Sequence, residues 1–156
     1  MSRLVEVCEA LGYGNVWTHA NSGNAVFDAA GSRVTIERSM EDALESAMGF
    51  EVTTFVRTAS ELRKAVNRDP FDLAAGDTYF ITFLKKAPLA ATRKALEAAS
   101  NDFDTLVVDG RDVHWRMHGK STDTTVTSKT WNLVGAQRST SRNANMLRKL
   151  VVKLDG

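Results

Sequence analysis

One cysteine, two prolines, two tyrosines and no long apolar run mark this chain of 156 residues. The lone Cys8 excludes an internal disulfide and fits a reducing cytoplasm, where we expect the protein to work. The longest apolar stretches reach four or five residues, so no membrane contact is expected; a spanning helix needs about 20. The first twelve residues, MSRLVEVCEALG, carry Glu6 and Glu9 inside their apolar pattern, which suits an amphipathic helix and not a signal peptide. Neither charge dominates: 20 Lys+Arg against 19 Asp+Glu leave +1.

What remains is the mixture of a soluble globular protein, 43% hydrophobic and 25% charged. The length suits one ordinary domain or two small ones. The charge is uneven along the chain. Residues 1–110 hold 11 Lys+Arg and 16 Asp+Glu, a net −5, and residues 111–156 hold 9 and 3, a net +6. That basic third would suit phosphate or an acidic partner, and equally the acidic remainder of its own chain.

Leu4, Val7, Cys8 and Leu11 recur at helical spacing, and Gly12 stops the helix. Short β-prone runs at 16–19 and 24–28 flank Asn21-Ser22-Gly23, which reads as a hairpin. A helix over 34–48 ends at Gly49, and EVTTFVR at 51–57 reads as a strand from its β-branched residues. Thr58 and Glu61 form a capping box that opens a helix ending at Asp69-Pro70. The pattern restarts with a buried strand at 79–84 and a helix opened by Pro88. Strands at 104–109 and 112–117 are joined by Asp109-Gly110. A Thr/Ser-crowded helix over 124–135 and a strand at 138–142 follow, then a last helix capped by Asn143.

Written as an order, the second part is βαββαβ followed by α. The first is the same order with its first strand absent. The expected fold class is therefore α+β, with two ferredoxin-like (split βαβ) halves and antiparallel sheets, the first half lacking its first strand. The halves are expected at 1–70 and 71–156. In such a sheet the first strand is central, so its absence leaves 24–28 and 51–57 with open edges. We expect those strands to pair with each other or with another subunit in a homo-oligomer, or the first half to be disordered.

Three segments carry a resemblance: SGNAVF at 22–27 after LGY at 11–13; FVRTASEL at 55–62 with NRDPF at 67–71; and Ser128-Lys129 with TSRNANMLRKL at 140–150. Together they resemble an uncharacterised bacterial family, a domain of unknown function built of two ferredoxin-like halves. Members usually begin some 25–30 residues earlier, with a strand and a glycine-rich loop. The family also usually places an aromatic where Ala144 stands between Asn143 and Asn145. The resemblance implies a fold and no activity.

The chemistry-bearing residues are sparse. Gly119-Lys120-Ser121 invites a phosphate loop, but the earlier glycine such a loop needs is His114. His114 and His118 lie on a strand, too far apart for one metal, so no metal or other cofactor is expected. The favoured constellation is Ser128, Lys129, Arg142 and Asn143: a fork and a point charge for an anion, at the start of the last helix. The plainer account has Asn143 capping that helix and Arg142 pairing with an acidic side chain. Asn21 and Ser22 suit a hairpin corner, and as ligand contacts they would line a cleft between the halves. With no nucleophile or acid–base pair visible, the first expectation is a non-catalytic module. It would bind an anionic small molecule or a protein partner in the cleft. Nucleic-acid binding through the basic third stands second, and an enzyme of unknown reaction third.

Overall fold

The computed structural model describes residues 2–20, 23–135 and 138–156. The chain forms two compact units, 1–57 and 58–156. Each is α+β with an antiparallel sheet.

The first unit runs α1 (Ser2–Ala10), β1 (Gly14–His19), β2 (Asn24–Asp28) and α2 (Arg33–Met48). β1 and β2 form a hairpin in which Trp17 faces Val26 and His19 faces Asn24. The apolar stripes of both helices meet in a core of Val7, Cys8, Ile36, Met40 and Leu44. Cys8 is fully buried, with its Sγ 3.8 Å from the Met40 sulfur, as a small hydrophobe would be. Ser32 caps α2 by accepting from the Thr35 N–H at 3.2 Å. Gly49 ends α2 with φ +81, a left-handed turn that favours glycine.

Segment 51–57, read from its sequence as a strand, forms neither helix nor strand and joins no sheet. Two of its N–H groups go to side chains of α2 instead. The Thr54 N–H donates to Glu41 Oε2 and the Val56 N–H to Glu37 Oε2, both at 2.8 Å. The expected pairing of 24–28 with 51–57 is likewise not made: β2 pairs with β1 alone among the described residues. β-branched residues favour a pleated surface only where a neighbouring strand supplies one.

The second unit holds α3 (Ala59–Arg68), β3 (Thr78–Leu84), α4 (Ala90–Ala98), β4 (Asp104–Asp109), β5 (Asp112–Met117), α5 (Ser128–Trp131), β6 (Ser139–Asn143) and α6 (Ala144–Asp155). Its sheet has the order β4-β5-β3-β6, every pair antiparallel, with β3 between β5 and β6. This is the split βαβ arrangement. Strand alternation gives the sheet two faces. On one, Leu84, Trp115, Met117, Leu106 and Val108 pack with Leu96 of α4, and Trp131 of α5 meets Trp115 edge-on at 5.6 Å. On the other lie Tyr79, Ile81, His114 and Arg142, with α6 over Tyr79 through Arg148.

The capping box of α3 forms as its sequence dictates: the Glu61 N–H donates to Thr58 Oγ1 and the Thr58 N–H to Glu61 Oε1. α3 packs against α6, and Arg63–Asp155 (2.7 Å) and Asp69–Arg148 (3.0 Å) bridge the two helices. The units therefore divide before α3, at 57/58, earlier than the expected 70/71. The helix expected over 124–135 is only the four residues of α5, followed by a 3-10 turn over Asn132–Val134. Its Thr and Ser side chains compete for backbone hydrogen bonds; Thr124 Oγ1, for one, accepts from the Val126 N–H.

Candidate functional site

The end of β3 carries two lysines. Leu84 is the last residue of the strand, and Lys85 and Lys86 continue from it toward α4. β6 runs antiparallel beside β3 with Ser139 opposite Leu84, so Arg138, one residue earlier, arrives at the same end of the sheet. Gly135 closes the 3-10 turn with φ +99, and a Cβ there would stand 3.0 Å from Arg138 Cγ. Glycine thus provides both the turn and the room for the arginine stem. Leu84, Lys85, Lys86, Val134, Gly135 and Arg138 line an open cavity of about 310 Å³. Three of these six residues are cationic and none is acidic. Lys86 and Arg138 are exposed and Lys85 is half-buried.

The residues favoured from sequence fall elsewhere. Asn21 and Ser22 lie outside the described residues. Ser128 and Lys129 open α5 and are exposed, on the Trp115 side of the sheet. Arg142 belongs to β6, not to the start of the last helix, and lies opposite Ile81 on the other side. Its Nη1 donates to Thr140 Oγ1 at 2.6 Å and to the Ser141 carbonyl at 3.0 Å, and burial pushes its pKa down. Asn143 caps α6, its Oδ1 accepting the Asn145 N–H at 2.8 Å. Lys129 and Arg142 are therefore on opposite faces, and the structure does not gather the four residues into one site.

His114 and His118 have separate partners. His118 Nδ1 lies 2.9 Å from Asp77 Oδ1, and this hydrogen bond holds the Asp77 carboxyl below its usual range. His114 is fully buried, with Nδ1 2.5 Å from the Tyr79 hydroxyl. Burial pushes His114 down to about 4 and Tyr79 upward, so both are neutral at ordinary pH. The Tyr79 hydroxyl and His114 Nδ1 share this hydrogen bond, and Nε2 has no partner among the described residues. Asp104 is fully buried as well. Burial alone would raise its pKa; hydrogen bonds from Thr124, Trp115 and Thr125 outweigh that and hold it low. No group of three or more His, Cys, Asp or Glu side chains is placed to hold a metal among the described residues. Lys120 and Ser121 border a three-residue 3-10 turn, too short to act as a helix dipole for phosphate.

Sequence reasoning missed the basic cavity because its members are distant in the chain. The signal that was available is the strand pairing of β3 with β6, which sets Arg138 beside Lys85 and Lys86.

A split-βαβ unit with a cationic cavity at one end of its sheet, preceded by a smaller α+β unit, defines the class of this protein by its architecture. No helix among the described residues is long and apolar enough to cross a membrane. The family model described as "Protein of unknown function (DUF1697)" matches residues 1–114, and the chain belongs to that family. Among solved structures it is similar to that of the conserved bacterial protein SP0830 from Streptococcus pneumoniae. The two share 18% identity with a TM-score of 0.71, over 100% of this chain and 89% of that one. That likeness shows the fold. No curated protein matches the chain.

Proposed function

We infer that the protein is a non-catalytic binding module that takes an anionic small molecule in the second unit. The carrying observation is the cavity of about 310 Å³ ringed by Lys85, Lys86 and Arg138 with no carboxylate in its lining. Its size matches the small end of ligand pockets, roughly 300–1,000 Å³. Arg138 offers a planar fork to a phosphate or carboxylate, and the lysines add point charges.

The test is calorimetric titration of the full chain with pyrophosphate at low salt. Saturable binding is expected, weakened about tenfold by Lys86→Ala or Arg138→Ala, since a hydrogen bond to a charged group is worth roughly 1.5–3 kcal/mol. Both side chains are exposed, so the fold should survive either change. Absence of saturation, or equal affinity in all three proteins, would overturn this reading. Nucleic-acid binding through the basic third would show instead as oligonucleotide affinity that falls steeply with salt.

A further inference from the structure

At the end of the sheet opposite the cavity, β3 and β5 carry a histidine held by a carboxylate. Thr78 pairs with Met117, and the next residues out are Asp77 and His118. His118 Nδ1 lies 2.9 Å from Asp77 Oδ1, and Asp77 Oδ2 accepts the Ala74 N–H at 2.9 Å. The Asp77 side chain is 4% exposed and that of His118 43%. His19 and His114 are buried, so His118 alone of the three histidines presents its ring to solvent.

The carboxylate fixes the state of that ring. The hydrogen bonds from His118 and Ala74 hold the Asp77 carboxyl below its usual range, and the charge of Arg116 adds to them. An ionised carboxylate only accepts, so Nδ1 is the donor. In the neutral ring the lone pair then belongs to Nε2. The main chain around the ring is tied down as well. The His118 N–H donates to the Phe103 carbonyl at 2.9 Å, and Thr78 Oγ1 donates to the Gly119 carbonyl at 2.6 Å. A Cβ on Gly119 would stand 3.1 Å from Phe103 Cε2, so glycine lets these segments approach. Two cations flank the histidine in the chain. Arg116, two residues back, shares its face of the sheet. Lys120, two residues on, is exposed and pairs with no carboxylate among the described residues.

We propose that His118 accepts a phosphoryl group on Nε2 from an N-phosphoryl donor, the class whose simplest member is phosphoramidate. Positive charge on both sides of the ring selects an anionic electrophile. The Nε2 lone pair forms the new N–P bond. The P–N bond of phosphoramidate breaks, and its protonated nitrogen leaves as ammonia with the electron pair of that bond. Nδ1 keeps its proton. The ring of the product is cationic, and the Asp77 carboxylate at Nδ1 offsets that charge. Asp77 is thus a positioning residue, and Nδ1, engaged with it, is closed to the phosphoryl group. The site is apart from the cavity, and neither reading depends on the other.

The probe is phosphoramidate, added to the full-length chain near neutral pH. One acid-labile phosphoryl group per chain is expected, placed on His118 by peptide mapping and on Nε2 by phosphorus NMR, with His19 and His114 unmodified. The reference is the free peptide DVHWRMHGKSTD, residues 112–123, in which both ring nitrogens of His114 and His118 are open. His118 in the folded chain should react about tenfold faster than in the peptide, the scale of one hydrogen bond to a charged group. Asp77→Asn and Lys120→Ala should each slow it. Nitrogen-15 NMR of the unmodified chain should show Nδ1 protonated and Nε2 bare, a signature that a merely structural Asp77 would not set. Reaction no faster than in the peptide would overturn the proposal. So would a mixture of both ring isomers on the folded chain, a proton on Nε2 with Nδ1 bare, or an unchanged rate in both variants.

Discussion

The Tyr79 hydroxyl meets Nδ1 of His114 at 2.5 Å across two neighbouring strands, β3 and β5, in the interior of the second unit. Arg148 lies over the Tyr79 ring at 5.6 Å from its centroid, and Phe71 meets that ring edge-on at 5.2 Å. Both contacts hold the phenol ring in place. Tyr79→Phe should leave Nδ1 without its hydrogen-bond partner and lower the stability of the second unit by about 1–3 kcal/mol. Urea unfolding followed by the fluorescence of Trp115 and Trp131, both in this unit, reads the change.

The same pair sets a pH dependence. The His114 pKa of about 4 in the folded chain lies below the ordinary 6.5. Below pH 6.5 the unfolded chain therefore takes up a proton that the folded chain refuses. The stability is fully present above pH 6.5 and falls as pH drops from 6.5 toward 4. His114→Phe should flatten that portion of the stability–pH curve, whatever it costs at neutral pH. An unchanged slope in the variant would show that other groups carry it.

Much of this fold was legible in the sequence, for a physical reason. Helix ends are written locally: Thr58 with Glu61, Ser32 with Thr35 and Gly49 each form the cap their types dictate. Tight turns are also local, as Asp109-Gly110 between β4 and β5 shows, with Gly110 at φ +61. Segment 51–57 misled because strand formation is not local; it depends on a partner strand that its own residues do not specify. The residues favoured from sequence are separated by strand parity. Arg142 and Asn143 are adjacent in the chain, but neighbouring residues of a strand point to opposite faces. Arg138 is distant in the chain from Lys85 and Lys86, and the β3–β6 register brings the three to one cavity.

Asp104 carries a prediction on loop order. Its Oδ1 accepts from Trp115 Nε1 at 2.8 Å and from Thr124 Oγ1 at 2.5 Å, and its Oδ2 accepts from the Thr125 N–H at 3.3 Å. One buried carboxylate thus ties the sheet to the loop before α5. Asp104→Ala should cost more than a single neutral hydrogen bond, about 1.5–3 kcal/mol for each charged one lost. Amide exchange at Thr125 and Val126 should accelerate with it, while exchange in α1 and α2 of the first unit stays as it was.

Glu37 gives the corresponding test in the first unit. It is a buried acid on α2: Arg33 Nη1 donates to its Oε1 at 2.9 Å, and the Val56 N–H donates to its Oε2 at 2.8 Å. Here a carboxylate occupies the acceptor position that a neighbouring strand's carbonyl would hold in a ladder. Glu37→Gln keeps an acceptor of the same shape and removes the charge; Glu37→Ala removes both. If the carboxylate fixes segment 51–57, the Val56 amide should exchange faster in Glu37→Ala, and Glu37→Gln should restore most of the protection. The cost in Glu37→Ala should be about 1–3 kcal/mol, the penalty of a buried N–H left without its acceptor. If Glu37→Gln were as damaging as Glu37→Ala, the charge pairing with Arg33, not the backbone hydrogen bond, would be what holds the segment.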